Sequence, residues 1–300
     1  MPWVKLGQIF SEKDLPQKNL SHSSNPTPVF ITENIIRIFY SARDLMNRSS
    51  IYAFDFDILS MKIVKSYEQC FLKFGNSKTY YRSGISLGGF YEFKKEKFIL
   101  FMGWENDQKN HWRGNLGRIR LCSNCKLLVA DHNPLLKIDN IDPISFSYPC
   151  ILPYKNKLYM WYGSTKTWDG PNNEMIHIIN YAVSNDGTNW EKKGQALPFK
   201  PGSYQAFSRP SVIKDKQNNL LMMFSYRPGN EVKYNIGGAK SENGEDWNLE
   251  LSNLSLKVSK DGWDSEMVEY PHLFEWRNDI YMLYNGNDFG KSGIGISILA

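Results

Sequence analysis

Four carboxylates, Asp44, Asp142, Glu266 and Glu269, each stand just outside an apolar run and close to an arginine, a tryptophan or a proline. Two carboxyl groups facing one another across a pocket are what acid/base work at a glycosidic bond requires. One stays protonated and donates, while the other stays ionised and attacks or activates a water. In equivalent settings stand Arg43, Arg48, Arg82, Arg209 and Arg227, with His22, Asn25, Asp264 and Asn287 and the tryptophans Trp104, Trp168 and Trp263. Guanidinium forks grip carboxylates and phosphates in bidentate fashion, and indole faces offer sugar rings an apolar surface. The expected ligand is an anionic sugar, a sugar phosphate or a polysaccharide unit, with no cofactor and no metal.

These residues spread over most of the chain, so they can act together only if the fold brings equivalent positions to one place. A repeat does this. "SNPTPVFITENIIRIFYSARD", "SGISLGGFYEFKKEKFILFMGWE", "SFSYPCILPYKNKLYMWYGST", "AFSRPSVIKDKQNNLLMMFSYR" and "EYPHLFEWRNDIYMLYNGND" share one pattern of two apolar runs around a polar turn. Their corresponding residues Tyr40, Met102, Tyr162, Phe224 and Tyr284 are 62, 60, 62 and 60 residues apart. A third apolar segment follows each pair. In copies three and four, "SNDGTNW" and "SENGEDW" add a tight turn of the kind that needs positive φ, and so a fourth strand. Short strands bounded by turns, four to a unit and five units to a chain, predict an all-β fold, a five-bladed β-propeller.

The last copy ends after three strands. "WVKLGQ" at the N-terminus matches "WEKKGQ" from Trp190, so the N-terminal strand is expected to close the last blade by pairing with "GIGISIL". If the first run of each repeat is the innermost strand, two positions per blade converge on one end of the central channel. Those positions carry the carboxylates, arginines and tryptophans, whereas the opposite rim reads as ordinary solvated turns. Each also admits a structural reading. Asp44 can pair with Arg43 and Arg48 to hold its loop, Glu266 and Glu269 can cap loops, Arg209 and Arg227 can brace neighbouring blades, and His22 and His272 can be neutral hydrogen-bonded side chains.

At 300 residues and 41% hydrophobic content the chain reads as one domain, 1–300, and its net charge of +5 from scattered lysines argues against a nucleic-acid stripe. No run is long enough to span a bilayer, and the first residues lack the pattern of a signal peptide, so a cytoplasmic location is expected. Cys122 and Cys125 form a lone CxxC without a second ligand pair; they are read as reduced thiols on a hairpin turn at the blade rim. Oligomeric state is left open.

Five copies of a strand, proline-containing in four of them, followed by a "YMxYxG"-type strand, with "SxDGxxW" hairpins, resemble the five-bladed glycosidase superfamily that includes glycoside hydrolase families 32, 43, 68 and 130. "YSARDLMNRSSI", "RPSV", "MMFSYR", "GWDSEMVEYP" and "YMLYNGNDFGKSGIG" are similar to segments of bacterial proteins labelled glycosidases or glycosylases and associated with surface-polysaccharide genes. The resemblance spans the chain and implies cleavage or transfer of a glycosidic bond by hydrolysis, phosphorolysis or transglycosylation. Families 43 and 32 place an aspartate in the first inner strand where this chain has Asn25. An amide there suits the alternative, a non-catalytic glycan-binding propeller.

Overall fold

The computed structural model describes residues 2–106, 111–123 and 126–300. β1 (Trp3–Phe10) opens the chain. An antiparallel unit follows: β2 (Ser21–Phe30), β3 (Ile35–Arg43), β4 (Ser49–Asp57) and β5 (Lys62–Ser66). The same arrangement recurs in β6 (Gly84–Phe93), β7 (Glu96–Glu105), β8 (Arg113–Leu121) and β9 (Leu127–Val129). It recurs again in β10 (Ser145–Tyr154), β11 (Lys157–Thr167), β12 (Ile176–Ser184) and β13 (Glu191–Gln195), then in β14 (Ala206–Lys214), β15 (Leu220–Arg227), β16 (Asn235–Ser241) and β17 (Asn248–Leu249). The last unit has β18 (Glu269–Trp276), β19 (Asp279–Asn285) and β20 (Ile294–Leu299), and its outer strand is β1, with Trp3 opposite Leu299 and Phe10 opposite Ile294.

The apolar runs of the second strands are continuous because both faces of each unit are covered. In β7, Phe98 and Leu100 pack into a core shared with β10–β12, while Ile99 and Phe101 pack into one shared with β2–β4. Among the described residues five such cores lie between successive units. The fifth joins Leu283 and Ile296 of the last unit to Ile38 and Phe54 of the first. The first strands touch in the same cyclic order, β2 on β6, β6 on β10, β10 on β14, β14 on β18 and β18 on β2.

Two of the proposed site carboxylates belong to this framework. Asp142 is fully buried; it accepts hydrogen bonds from Tyr162 Oη at 3.0 Å and Asn180 Nδ2 at 2.8 Å, and pairs with Lys192 Nζ at 2.8 Å. Asp264 does the same with Tyr284 Oη at 3.0 Å and Lys5 Nζ at 2.6 Å. Lys192 and Lys5 occupy matching places in "WEKKGQ" and "WVKLGQ". The repeat thus carries a buried pin that ties the outermost strand to the loop before the innermost one, and it engages Asp142, expected in catalysis, and Asp264, expected at the substrate. Lys192→Met strands a buried carboxylate, so the urea midpoint should fall by the equivalent of about 3 kcal/mol at unchanged m. A loss under roughly 1 kcal/mol, the range of an exposed pair, contradicts the pin.

Each first strand is also broken by a bulge, with register shifts at Ser24/Thr27, Leu87/Phe90, Ser147/Cys150, Ser208/Ser211 and Glu269/His272. In four of them the bulged residue precedes a proline and has positive φ: Asn25 (60°), Tyr148 (33°), Arg209 (49°) and Tyr270 (53°). A non-glycine residue before proline disfavours that conformation, so the surrounding structure must hold it. The second unit has Gly88 instead, where an added Cβ would strike the carbonyl of Pro149.

Arg209 shows what the bulges accomplish. Its side chain is buried, with Nε donating to Leu87 O (3.2 Å), Nη1 to Tyr270 O (2.5 Å) and Nη2 to Pro26 O (2.9 Å). One guanidinium therefore links β14 to the first strands of three other units. This is the bracing arrangement, and carbonyls occupy the donors of Arg209 that the sequence reading offered to substrate.

Candidate functional site

A cavity of about 630 Å³ opens among the ends of the units, where the loops after the second strands meet the bulged first strands. Arg43, Trp104 and Arg227 line it. So do Tyr148 and Tyr270, aimed inward by their bulges, and Tyr234 and Trp112 from neighbouring loops. Lys233 adds a third cation, paired with Glu266 on the exposed rim. Trp104 is fixed by its Nε1–H donating to Ser49 Oγ at 3.0 Å.

Glu269 lies just beneath this surface. The tripeptides "SNP", "SYP", "SRP" and "EYP" put Ser24, Ser147, Ser208 and Glu269 at one position of the repeat, immediately before the bulge. Three units have a hydroxyl there and one has a carboxyl. Glu269 is fully buried, and neither carboxyl oxygen has a hydrogen-bond partner. Burial pushes its pKa well above the ordinary 4.5, against the opposing pull of Arg43 and Arg209. It also acts electrostatically on Tyr148, Tyr234 and Tyr270, all cavity residues. A buried carboxyl that accepts nothing is best kept as the neutral acid.

That shift has a sign. The folded carboxyl holds its proton at pH values where the unfolded one has lost it, so the contribution is complete below pH 4.5 and is lost as pH rises through the folded value. Glu269→Gln removes the loss. The stability of the variant minus that of the parent should grow with pH above 4.5 in paired denaturation curves, and a difference that stays flat contradicts a protonated Glu269.

A second polar group faces the cavity. His177 Nε2 lies 2.6 Å from Ser147 Oγ, and its Nδ1 lies 2.8 Å from Thr165 Oγ1. Strand pairing builds this: Thr165 is opposite His177 and Ser147 opposite Gly163, which carries no Cβ to collide with either side chain. Burial lowers the imidazole to about 3, so it is neutral at physiological pH and serves as a hydrogen-bond relay. Stability held by keeping it neutral is present above pH 6.5 and drains away as pH falls towards 3. His177 is missing from the sequence-derived set because its partners sit in other strands; "SYP" marks Ser147, but nothing local marks the histidine.

The remaining expected residues fall elsewhere. Asp44 accepts backbone N–H bonds from Met46 and Arg48 and both guanidinium donors of Arg48, closing its turn beside a separate hollow lined by Gln17 and Phe74. Arg48 lies over the Phe74 ring at 4.3 Å. The pair holds the loop, away from the residues that line the larger cavity. Glu266 is exposed, and Asn287 Oδ1 accepts the Glu266 and Met267 amides, folding that rim loop. Arg82 pairs with Glu105. Trp263 packs on Tyr284 at 5.4 Å. His22 Nδ1 is 2.9 Å from Ser21 Oγ, and burial, then Arg43 and Lys291, lowers it to about 4. Asn25 is buried with its backbone N–H bonded to Asn285 Oδ1. Trp168 lines an adjoining hollow. Cys122 directly follows β8 and its N–H donates to Lys126 O at 3.0 Å, and Cys125 lies outside the described residues. Among the described residues no helix is long and apolar enough to cross a membrane.

No family model matches the chain. It is 33% identical over 301 residues, all of this chain and 99% of the relatives, to "Uncharacterized protein Rv1502" of Mycobacterium tuberculosis strain H37Rv and to "Uncharacterized protein MT1551" of strain CDC 1551. Among solved structures, an endo-arabinase from Bacteroides thetaiotaomicron aligns at a TM-score of 0.69 and 11% identity over 93% of this chain and 94% of that one. A β-1,2-mannobiose phosphorylase from Listeria innocua aligns at 0.73 and 11% over 98% and 95%. A sucrose-6-phosphate hydrolase from Lactobacillus gasseri aligns at 0.67 and 11% over 95% of this chain and 62% of that one. At such identities the likeness concerns the fold alone, a propeller. The chain belongs to the family of the mycobacterial protein Rv1502, built on this propeller fold.

Proposed function

We propose that the five units are the blades of a five-bladed propeller and that the protein is an enzyme breaking or transferring a glycosidic bond in an anionic saccharide. The observation that carries this reading is Glu269: a buried, unpartnered carboxyl, its pKa pushed well above the ordinary value by burial, beneath a cavity walled by tyrosines, tryptophans and cations. A neutral carboxylic acid at physiological pH is what protonation of a departing glycosidic oxygen needs. As the C–O bond breaks, its electron pair takes the Glu269 proton and leaves as a hydroxyl, and the acceptor bonds to the sugar carbon from the opposite side. Arg43, Arg227 and Lys233 offer charge to a phosphate or carboxylate. The named activities of the phosphorylase and hydrolase that share the fold support the same class of chemistry.

Among the described lining residues the carboxylates are Glu231 and Asp288, both exposed. Glu269, buried beside the lining residue Tyr270, therefore has no facing base among the described lining residues of the inner wall, which favours an acceptor that arrives already anionic, such as phosphate, over water. Asn25 in place of an inner-strand aspartate favours the second reading, a glycan-binding propeller. Incubation with anionic oligosaccharides, with and without phosphate, followed by mass spectrometry of the products separates the two: shortened saccharides or sugar phosphates are expected. Binding without any product would leave the enzyme reading untenable.

A further inference from the structure

The cavity above Glu269 does not end at its own wall. A second hollow of about 750 Å³ adjoins it, and Trp112, Met175, Arg227 and Glu231 line both. Each lobe alone has the size of a small-ligand site. Arg227 marks the boundary, its Nη1 3.1 Å from Glu174 Oε2, while Glu174 Oε1 accepts the Glu231 amide at 2.6 Å.

The lobes differ in chemistry. Arg227 and Glu231 are common to both; the first adds Arg43 and Lys233 against Asp288, so cations prevail there and an anion is favoured. The second contains Asp169, Glu174 and Glu231 with Arg227 as its arginine, and Asp169 and Glu231 are exposed. Such a lining disfavours another anion and favours neutral hydroxyls, which carboxylates and amides hydrogen-bond readily. Asn172 supplies amide groups in a fixed position, bound reciprocally to Gln205 (2.9 and 3.0 Å). The apolar wall is Trp168, with His111 stacked on it at 4.4 Å and Trp112 edge-on at 5.2 Å. Trp112 also meets His177 edge-on at 6.1 Å, so one indole forms part of both lobes.

We infer that the substrate is at least a disaccharide, with its anionic sugar over Glu269 and a neutral sugar against Trp168 in the second lobe. This rests on the proposed saccharide chemistry and adds the order of the units: charge inside, neutral polyol outside. A monosaccharide would leave the outer lobe to water and forgo contact with its aromatic wall.

Calorimetric titration of the full chain tests this with matched probes. One set is glucose 6-phosphate, mannose 6-phosphate and glucuronate; the other is disaccharides carrying the same anionic residue joined to a neutral hexose. The disaccharides should bind at least ten-fold more tightly, a difference of about 1.4 kcal/mol. Trp168→Ala should erase that preference while leaving monosaccharide affinity unchanged. Equal affinity for the two sets in the parent protein, or an equal loss for both in the variant, overturns the two-lobe reading and leaves the anionic-saccharide reading standing. No binding by either set overturns both.

Discussion

Glu269→Gln is expected to lower kcat by about 10²- to 10⁴-fold, the share that a positioned proton donor supplies, while Kd for the saccharide stays within about three-fold of the parent. Glutamine keeps the shape of the protonated side chain. Neither oxygen of Glu269 has a partner to lose, so the fold should tolerate the change. The same variant therefore carries little destabilisation to confuse the reading. Glu269→Asp keeps the acid but draws it back from the tyrosine layer, and should recover only part of the lost rate. Single-turnover kinetics under saturating saccharide checks both; a kcat within about three-fold of the parent for the glutamine variant removes Glu269 from the chemistry.

Arg209→Met is expected to be the most destabilising single change in the chain, costing about 5 kcal/mol, because it leaves buried carbonyls from three other units without donors. Burial lowers the guanidinium to about 9, which still leaves it charged at physiological pH, and carbonyl dipoles rather than a bonded carboxylate surround it. For a chain of this size the expected fall in melting temperature is on the order of 10 °C. Arg209→Lys should suffer almost as much, since one ammonium cannot reach carbonyls arranged for a planar fork. Thermal unfolding followed by near-ultraviolet circular dichroism measures this, and a methionine variant that melts within about 2 °C of the parent contradicts the hub.

The repeat was legible because it is written in residue types that strands and turns demand. Apolar runs of strand length recur at a near-constant spacing, and "NDG" and "ENG" supply the left-handed turn residues at Gly187 and Gly244. The likeness of "WVKLGQ" to "WEKKGQ" anticipated the pairing of β1 with β20. It also concealed a second message, the buried lysine–aspartate pins at Lys5–Asp264 and Lys192–Asp142, which appear only when charges are matched across strands.

The site was legible in part. Position relative to the strands groups Arg43, Trp104 and Arg227, which line one cavity, with Glu269, which is buried next to the lining residue Tyr270. It could not separate residues that face the cavity from residues that stabilise the loops beside it. Asp44 and Glu269 look alike in sequence, each a carboxylate at a strand end. One is saturated by Arg48 and two amides, and the other touches no donor at all. The pre-proline bulges decide which side chains turn inward, and "SNP", "SYP", "SRP" and "EYP" were visible as text without revealing that their middle residues would adopt positive φ. Strain of that kind is imposed by neighbouring units, so no local propensity announces it.

The proposed chemistry depends on the protonation state of one carboxyl group. A carbon-13 NMR titration of the side-chain carboxyl of Glu269, assigned by comparison with Glu269→Gln, reads it without any knowledge of the substrate. The resonance should remain at the position of the protonated acid at pH 7 and move only at higher pH. Ionisation near pH 4.5, as for an exposed glutamate, would contradict a neutral acid beneath the cavity and with it the glycosidic proton transfer.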